Sequence, residues 1–142
     1  MAKKIKLADA KALATFCAKQ AVEKLAADIV LMDISAIDGS PTEWFVIATC
    51  ASDPQLRAVS ETLEAATKSV GINHPRTEGK DSQNWVILDY FDVVVHLMKP
   101  EARSFYKLEK LWGDADMFTL SAAGRVVKYK ADKKQSNLLD EA

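Results

Sequence analysis

The sequence predicts an α/β protein of the α+β type, with a mixed sheet of about five strands and helices packed against it. Stretches of helical periodicity alternate with short apolar runs rich in β-forming residues, and some of these runs follow one another as hairpins. Hairpins combined with helical connections favour a mixed sheet over a fully parallel one. A chain of 142 residues, 49% of them hydrophobic, can bury one core without disulfides or structural metal.

The first three elements are a helix and two strands. Between residues 7 and 25, apolar side chains recur every three or four positions among lysines, which predicts an amphipathic helix. The apolar run 28–34 is followed by the turn-forming segment 38–41, and 43–49 is a second run rich in β-formers. We therefore expect two strands joined by a short loop, with the helix packed on their sheet.

A second helix is predicted from Ser52 to about residue 70. The Ser52 hydroxyl can accept a hydrogen bond from an N–H of the first turn, Pro54 suits that turn, and Gln55 stands at capping-box distance. Gly71 ends the helix because glycine adopts the left-handed cap conformation without steric penalty.

The second half of the chain predicts a short strand, a hairpin and a last helix. The segment 75–78 is the short strand, and the apolar runs 85–90 and 93–98 form the hairpin. The last helix begins at Pro100 and runs through residue 112. Its apolar stripe consists of Phe105, Leu108, Leu111 and Trp112.

The chain is predicted to be one domain, 1–116, followed by a variable C-terminal tail, 117–142. After Asp116 the periodicity fades into serine, lysine, aspartate and glutamine with scattered aliphatic residues. A short strand is predicted at 125–129, and no function is assigned to the tail.

The charge balance and the cysteines limit the function classes. With 19 basic and 20 acidic residues, the chain lacks the positive field with which nucleic-acid-binding proteins attract phosphate, and no direct contact with DNA is expected. Two isolated cysteines, Cys17 and Cys50, fit a reducing compartment. The basic start of the chain is not followed by an apolar stretch of signal-peptide or membrane-span length. We therefore expect a cytoplasmic protein without a membrane partner.

The cysteines and histidines allow a catalytic or metal-binding interpretation and a structural one. Cys50, His96 and Asp89 could form a nucleophilic site, since such residues need only be neighbours in space. Cys50 ends a hydrophobic run, however, where a small buried thiol suits packing, and we favour that interpretation. A metal site would require His74, His96 and acids to converge, but the sequence has no histidine pair at helical spacing and no Cys-x-x-Cys motif. No metal or cofactor is expected.

The alternative enzyme class is a nucleotide-binding enzyme of the nucleotidyltransferase type. Such an enzyme needs a Gly-Ser pair that opens a helix and an Asp-x-Asp pair that holds magnesium. Gly39-Ser40 and Asp114-Ala115-Asp116 supply both fragments, but the first runs into a strand-like segment and the second follows the last helix. Asp114 and Asp116 are interpreted as solvated residues at the end of that helix.

His96 and Trp85 each allow two interpretations. On a predicted strand, a lone imidazole is more often a satisfied polar group than a ligand. His96 nevertheless shares one strand face with Val94 and Met98, and such a face suits partner binding. Trp85 is either a core residue or an interface hot spot, because tryptophan is enriched at hot spots.

Several motifs resemble a known family. The chain closely resembles the ribosomal silencing factor family, also called Iojap-like proteins, at Glu78-Gly79, Trp85, Asp89, Val93-Val94-Val95-His96 and the run 101–112. This last run, Glu-Ala-Arg-Ser-Phe-Tyr-Lys-Leu-Glu-Lys-Leu-Trp, is the most specific part. Upstream, two segments also resemble the family: residues 28–33 its first strand, and residues 45–52 its second strand and the start of its second helix. The resemblance covers residues 7–116 in order.

The resemblance implies a nucleotidyltransferase-like fold without the catalytic residues, and a binding protein rather than an enzyme. It implies binding to ribosomal protein L14, on the face of the large ribosomal subunit where the two subunits meet. A factor bound there would sterically block subunit joining and lower translation when nutrients are short. Related organelle proteins take part in large-subunit assembly. The resemblance further implies a homodimer in the free state and no cofactor.

The resemblance also implies a partner-binding surface. Ribosomal protein L14 is basic, so acids of this chain could pair with its lysines and arginines while aromatic side chains supply buried contact area. The alternative for one part of this surface is an internal salt-bridge set of Glu101, Arg103 and Glu109. The expected surface consists of Glu78, Gly79, Trp85, Asp89, His96, Arg103 and Tyr106.

The sequence departs from the family pattern at two positions. The family usually places a glycine with positive φ in the turn between the last two strands, where this chain has Tyr90-Phe91-Asp92. Either the turn is longer here, or Phe91 extends the exposed apolar surface. Trp44 stands where the family often has tyrosine, which preserves an aromatic anchor.

Overall fold

Helices cover both faces of one mixed sheet in the computed structural model, which describes residues 9–81 and 84–129. The helices are α1 (Ala10–Glu23), α2 (Asp53–Ser69), α3 (Pro100–Tyr106) and α4 (Leu108–Leu111). The strands are β1 (Ala27–Asp33), β2 (Trp44–Thr49), β3 (Arg76–Glu78), β4 (Trp85–Asp89), β5 (Val93–Met98), β6 (Asp116–Leu120) and β7 (Val126–Lys128). Within the described ranges, no helix has the length and apolarity needed to cross a membrane.

The sheet has the strand order β3-β4-β5-β2-β1-β6-β7. Its two central strands, β2 and β5, are parallel, and the other neighbouring strands are antiparallel. The predicted mixed α+β sheet is therefore confirmed, whereas the predicted number of about five strands is wrong, because the sheet has seven. One extra strand, β6, adds to the far side of β1 through pairs such as Leu31 with Phe118.

The two extra strands come largely from the predicted tail. β7 confirms the strand predicted at 125–129, and β6 begins at Asp116, which was interpreted as the end of a helix. β6 was not predicted because its strand conformation depends on pairing with β1, which is distant in sequence. The start of the predicted domain, residues 1–8, and the end of the predicted tail, residues 130–142, lie outside the described residues.

The core is divided between the two faces of the sheet. On the first face, α1 and α2 pack Cys17 and Leu63 against strand residues such as Val46 and Val95. On the second face, α3 and α4 contribute Ala102 and Leu108 to a smaller cluster. Successive strand side chains point to opposite faces, so the two central strands, which are apolar except for Thr49 and His96, supply both clusters.

The start of α2 has the predicted cap. The Ser52 hydroxyl accepts a hydrogen bond from the N–H of Gln55 at 3.2 Å. Gln55 in turn accepts a bond from the N–H of Ala51 at 2.6 Å and donates one to the carbonyl of Lys24 at 3.0 Å, beyond the end of α1. Gly71, with φ of 86°, follows the end of α2 as expected. The cap therefore fixes the start of α2 to the end of α1.

The predicted last helix is interrupted. Lys107 has φ of 49° and ψ of 57°, a left-handed conformation that ends α3 and precedes α4. The predicted apolar stripe is consequently wrong for Phe105 and Leu111, which are 77% and 71% exposed, although Leu108 is buried as expected. Periodicity assumes a continuous helix, and one left-handed residue changes the face on which each side chain lies.

Candidate partner-binding site

Four of the expected site residues share one face of the sheet. Residues paired across neighbouring strands point to the same side. Glu78 pairs with Ile87, and Ile87 pairs with His96, so these three form one row across β3, β4 and β5. Trp85 and Asp89 lie two positions on either side of Ile87 in β4 and share its face. The structure therefore brings Glu78, Trp85, Asp89 and His96 to one side of the sheet.

Trp85, His96 and Tyr106 make ring contacts where β4 begins and α3 ends. The ring centroids of Trp85 and Tyr106 are 4.7 Å apart, and those of Trp85 and His96 are 5.7 Å apart. Phe105 meets Tyr106 edge to face at 5.0 Å. Phe105 is 77% exposed and Tyr106 51% exposed, whereas Trp85 is half-buried. We call Trp85, Phe105 and Tyr106 the aromatic patch.

Phe105 belongs to the aromatic patch, although helical periodicity predicts that it is buried. A continuous helix through residue 112 would place Phe105 on the stripe of Leu108 and bury it. The left-handed Lys107 separates them, and Phe105 lies at the surface beside Tyr106. Lysine is a good helix former, so the sequence gives no signal for a break at this position.

His96 is an uncharged, buried base beneath the aromatic patch. The Trp85 indole N–H donates a hydrogen bond to His96 Nδ1 at 3.1 Å, so the proton of the neutral ring lies on Nε2. Burial lowers the pKa of His96 to about 4. The Nε2 atom is buried without a hydrogen-bond partner among the described residues. His96 therefore orients Trp85 and is too enclosed to contact a partner directly.

Arg103 points into the protein. Its Nε and Nη2 atoms lie 2.7 and 2.6 Å from Glu109 Oε1. Its Nη1 atom donates to the carbonyl of Asp28 at 2.5 Å and to Thr49 Oγ1 at 2.8 Å. The side chain is only 14% exposed. The internal salt bridge was the alternative to direct contact for Arg103, and the geometry matches that alternative; Glu101 lies exposed in the first turn of α3.

Glu78 and Gly79 lie at the end of β3, and Asp89 lies at the end of the neighbouring strand β4. Glu78 is exposed at the end of the edge strand β3, where its carboxylate can meet a cationic partner. Gly79 follows with φ of 83°, a conformation that disfavours other residues. Asp89 is half-buried, and its Oδ1 accepts a hydrogen bond from the N–H of Phe91 at 2.8 Å. Asp89 therefore has a structural role in the turn.

The turn between β4 and β5 is short, and Phe91 takes the position of the family's glycine. Phe91 has φ of 79°, and the N–H of Asp92 bonds the carbonyl of Tyr90 at 3.1 Å, which defines a γ-turn centred on Phe91. Thr42 Oγ1 donates to the Phe91 carbonyl at 2.6 Å. Phe91 is 84% exposed, at the opposite end of the hairpin from Trp85.

The sheet separates Cys50 from His96, so these residues do not form a nucleophilic site. Cys50 belongs to the core cluster on the α1 and α2 face, whereas Phe45, whose ring contacts His96, belongs to the cluster on the other face. Burial raises the pKa of the Cys50 thiol to about 11, which disfavours the reactive thiolate. Within 9–81 and 84–129, no group of three or more histidine, cysteine or acidic residues could hold a metal ion.

Comparisons with known proteins agree with this architecture. The family model "Ribosomal silencing factor during starvation" matches residues 7–141. A ribosomal silencing factor of Bacillus subtilis is 36% identical over 110 residues, covering 78% of this chain and 92% of the relative. The mouse "Mitochondrial assembly of ribosomal large subunit protein 1" is 37% identical over 87 residues, covering 56% of this chain and 38% of the relative.

A solved structure shows the same fold. The crystal structure of a protein from Chromobacterium violaceum superposes with a TM-score of 0.70 at 25% identity, covering 90% of this chain and 98% of the other. The chloroplast protein Iojap of Arabidopsis thaliana is 37% identical over 98 residues, covering 65% of this chain and 40% of the relative. The mixed sheet and these relatives together define an α+β protein of the Iojap-like class. Because the family model spans nearly the whole sequence, the chain belongs to the ribosomal silencing factor family.

Proposed function

We propose that this protein binds the large ribosomal subunit through ribosomal protein L14 and sterically blocks its joining to the small subunit. It would thereby lower translation under nutrient limitation, acting in the cytoplasm as a binding protein and not as an enzyme. The observation that carries the proposal is the family match over residues 7–141. The exposed aromatic patch supports it, because aromatic side chains supply much of the affinity of protein interfaces.

The chemistry of the surface suits a basic protein partner. Phe105 and Tyr106 offer exposed aromatic area, and Tyr106 is supported from beneath by Trp85. Glu78 on β3 adds a carboxylate to the same face of the sheet as Trp85. An aromatic centre with an acid at its rim is complementary to a lysine- and arginine-bearing surface. We therefore assign the centre of the contact to the aromatic patch and its rim to Glu78 and Gly79.

Co-sedimentation with separated ribosomal subunits tests this function. The wild-type protein should bind the large subunit selectively and reduce subunit joining. Phe105→Ala should weaken that binding by about tenfold, the loss expected for a central interface aromatic. Phe91→Ala is the matched control, since Phe91 is 84% exposed and Phe105 77%. Phe91 lies in the β4–β5 turn, at the opposite end of that hairpin from Trp85.

The controls define what would contradict the proposal. A folded wild-type protein that binds neither subunit would refute it. Equal losses for Phe105→Ala and Phe91→Ala would refute the assignment of the aromatic patch. Large-subunit binding without inhibition of joining would favour a role in large-subunit assembly, a second candidate supported by the mouse relative's name.

The nucleotidyltransferase alternative receives little support. Gly39 lies in the loop between β1 and β2, not at the start of a helix, and Asp114 is exposed in the turn before β6. A pocket of about 730 Å³ is lined by Asp116 and by Glu109, which is already paired with Arg103, but not by Gly39 or Asp114. We propose that the sheet is nucleotidyltransferase-like without catalytic residues. Failure to bind magnesium nucleotides in a calorimetric titration would agree with this proposal.

A further inference from the structure

The junction of α3 and α4 has an unfavourable backbone conformation. Lys107 is left-handed, and this conformation costs an L-residue other than glycine about 1–2 kcal/mol. Phe105 and Tyr106 occupy the last turn before this residue, so their orientation depends on how the junction is held. A contact that stabilises the junction would therefore also set the shape of the aromatic patch.

The Arg103–Glu109 ion pair spans the junction. The two residues are six positions apart, and two of the guanidinium nitrogens lie within 2.7 Å of one carboxylate oxygen. In a continuous helix, residues three or four positions apart face each other, and residues six apart do not. The pair can therefore form only when the helix is broken. Because both side chains are nearly enclosed, at 14% and 12% exposed, solvent screens their attraction little.

Arg103 also fastens the junction to the sheet. The strand β1 has a bulge between Ala27 and Val30, where Asp28 has φ of 51°. A bulge removes a carbonyl from the regular ladder, and Arg103 Nη1 supplies the hydrogen bond to the Asp28 carbonyl. The same nitrogen bonds Thr49 at the end of β2. One guanidinium thus connects α3, the start of α4 and two strands.

We propose that Arg103 is a positioning residue for the partner-binding surface, which holds Phe105 and Tyr106 in their binding orientation by fixing the α3–α4 junction to the β1 bulge. The inference rests on the proposed function, and it assigns Arg103 a role different from the direct partner contact expected from the family resemblance. Trp85 supports Tyr106 from one side, at 4.7 Å between ring centroids, and Arg103 fixes the backbone behind it.

Arg103→Lys is the central variant. Lysine keeps the charge but cannot bind Glu109, Asp28 and Thr49 at the same time, because it lacks the planar fork of donors. We expect large-subunit affinity to fall by about tenfold. Adding Lys107→Gly should restore part of this loss, because glycine adopts the left-handed conformation without the ion pair. Arg57→Lys, an exposed arginine on α2, is the matched control and should leave affinity unchanged.

A double-mutant cycle with Phe105→Ala separates positioning from direct contact. If Arg103 acts through the aromatic patch, Phe105→Ala should cost less affinity in the Arg103→Lys protein than in the wild type. Near-ultraviolet circular dichroism reports the packing of the aromatic side chains, Trp85 and Tyr106 among them, without a binding partner, and its signal should change with Arg103→Lys. Glu109→Gln keeps a hydrogen-bond acceptor for the guanidinium, so it should change affinity and circular dichroism in the same direction but less. It replaces Arg103→Lys in the test if that variant does not fold.

Three results would overturn the inference. The first is that Arg103→Lys and Glu109→Gln bind the large subunit with wild-type affinity. The second is that the affinity losses of Arg103→Lys and Phe105→Ala are fully additive. The third is that Lys107→Gly restores none of the affinity lost in Arg103→Lys. If the wild-type protein does not bind the large subunit, the proposed function fails, and the positioning role is judged by circular dichroism alone. An unchanged ring signal in Arg103→Lys would then refute it, and a changed signal that Lys107→Gly restores would support it.

Discussion

The hydrogen bond between Trp85 and His96 ties the orientation of Trp85, in the proposed interface, to the charge of the His96 imidazole. Nδ1 accepts the indole proton only while the ring is neutral, because protonated histidine has a donor on both nitrogens. With its pKa lowered to about 4 by burial, His96 stays neutral at physiological pH. Trp85 therefore keeps its place in the aromatic patch over the whole physiological pH range.

This pairing predicts a pH dependence of stability. Between the ordinary pKa of 6.5 and the folded-state value of about 4, the unfolded chain binds a proton at His96 and the folded protein does not. The free energy of unfolding should therefore fall as the pH drops from 6.5 to 4, by about 3 kcal/mol at most from this residue. Urea denaturation at pH 4.5 and pH 7 measures the loss.

The exposed residue His74 serves as a control for the contribution of His96 to the pH dependence of stability. His96→Leu should reduce the loss between the two pH values, and the same change at exposed His74 should not. If the buried substitution prevents folding, nuclear magnetic resonance titration of the wild-type imidazole gives the answer directly. A His96 ring that titrates near pH 6.5 in the folded protein would contradict the argument.

At the scale of elements, β6 belongs to the cooperative fold although its sequence is weakly patterned. Phe118 packs against the core of the α1 face, with its ring 5.7 Å from that of Trp44. Phe118→Ala should lower the free energy of unfolding by about 2 kcal/mol, less than for a fully buried phenylalanine. Chemical denaturation measures this change. Val127→Ala, on the exposed edge strand β7, should change it by less than about 0.5 kcal/mol. Equal effects of the two changes would mean that β6 is peripheral.

Most helices and strands could be predicted from the sequence because their signals are local. The cap of α2, with Ser52 and Gly71, and the two apolar runs of the β4–β5 hairpin are examples. β6 could not be predicted in this way, because its strand conformation depends on pairing with β1, a contact distant in sequence. The break at Lys107 also depends on a distant contact, through Arg103 and the β1 bulge.

The candidate site, like the fold, could be predicted only in part. Trp85, His96 and Tyr106 came from the family resemblance, and the structure places them in contact. Their assignment as partner-binding residues stays a prediction. Phe105 was missed, and Arg103 proved to be enclosed, because both depend on the α3–α4 junction. Sequence motifs identify residues that matter but do not show which way each side chain points.

At the scale of the whole molecule, the exposed aromatic patch predicts self-association. We propose that the free protein forms a homodimer through the aromatic patch and that large subunits compete for the same surface. Phe105→Ala should then weaken both the dimer and large-subunit binding, each by about tenfold, while Phe91→Ala should weaken neither. Sedimentation velocity measures the dimer. A Phe105→Ala protein with an intact dimer and lost subunit binding would show that dimerisation uses another surface.

The single parallel pairing in the sheet has a consequence for synthesis of the protein itself. β2 is buried except at its last residue, Thr49, yet its partner β5 is made only after α2, β3 and β4. Until then the growing chain carries an apolar strand edge with no neighbour, which is the kind of edge that aggregates. Folding of the centre must therefore wait for Val93–Met98 to leave the ribosome, so a chain cut short before β5 would have no closed core.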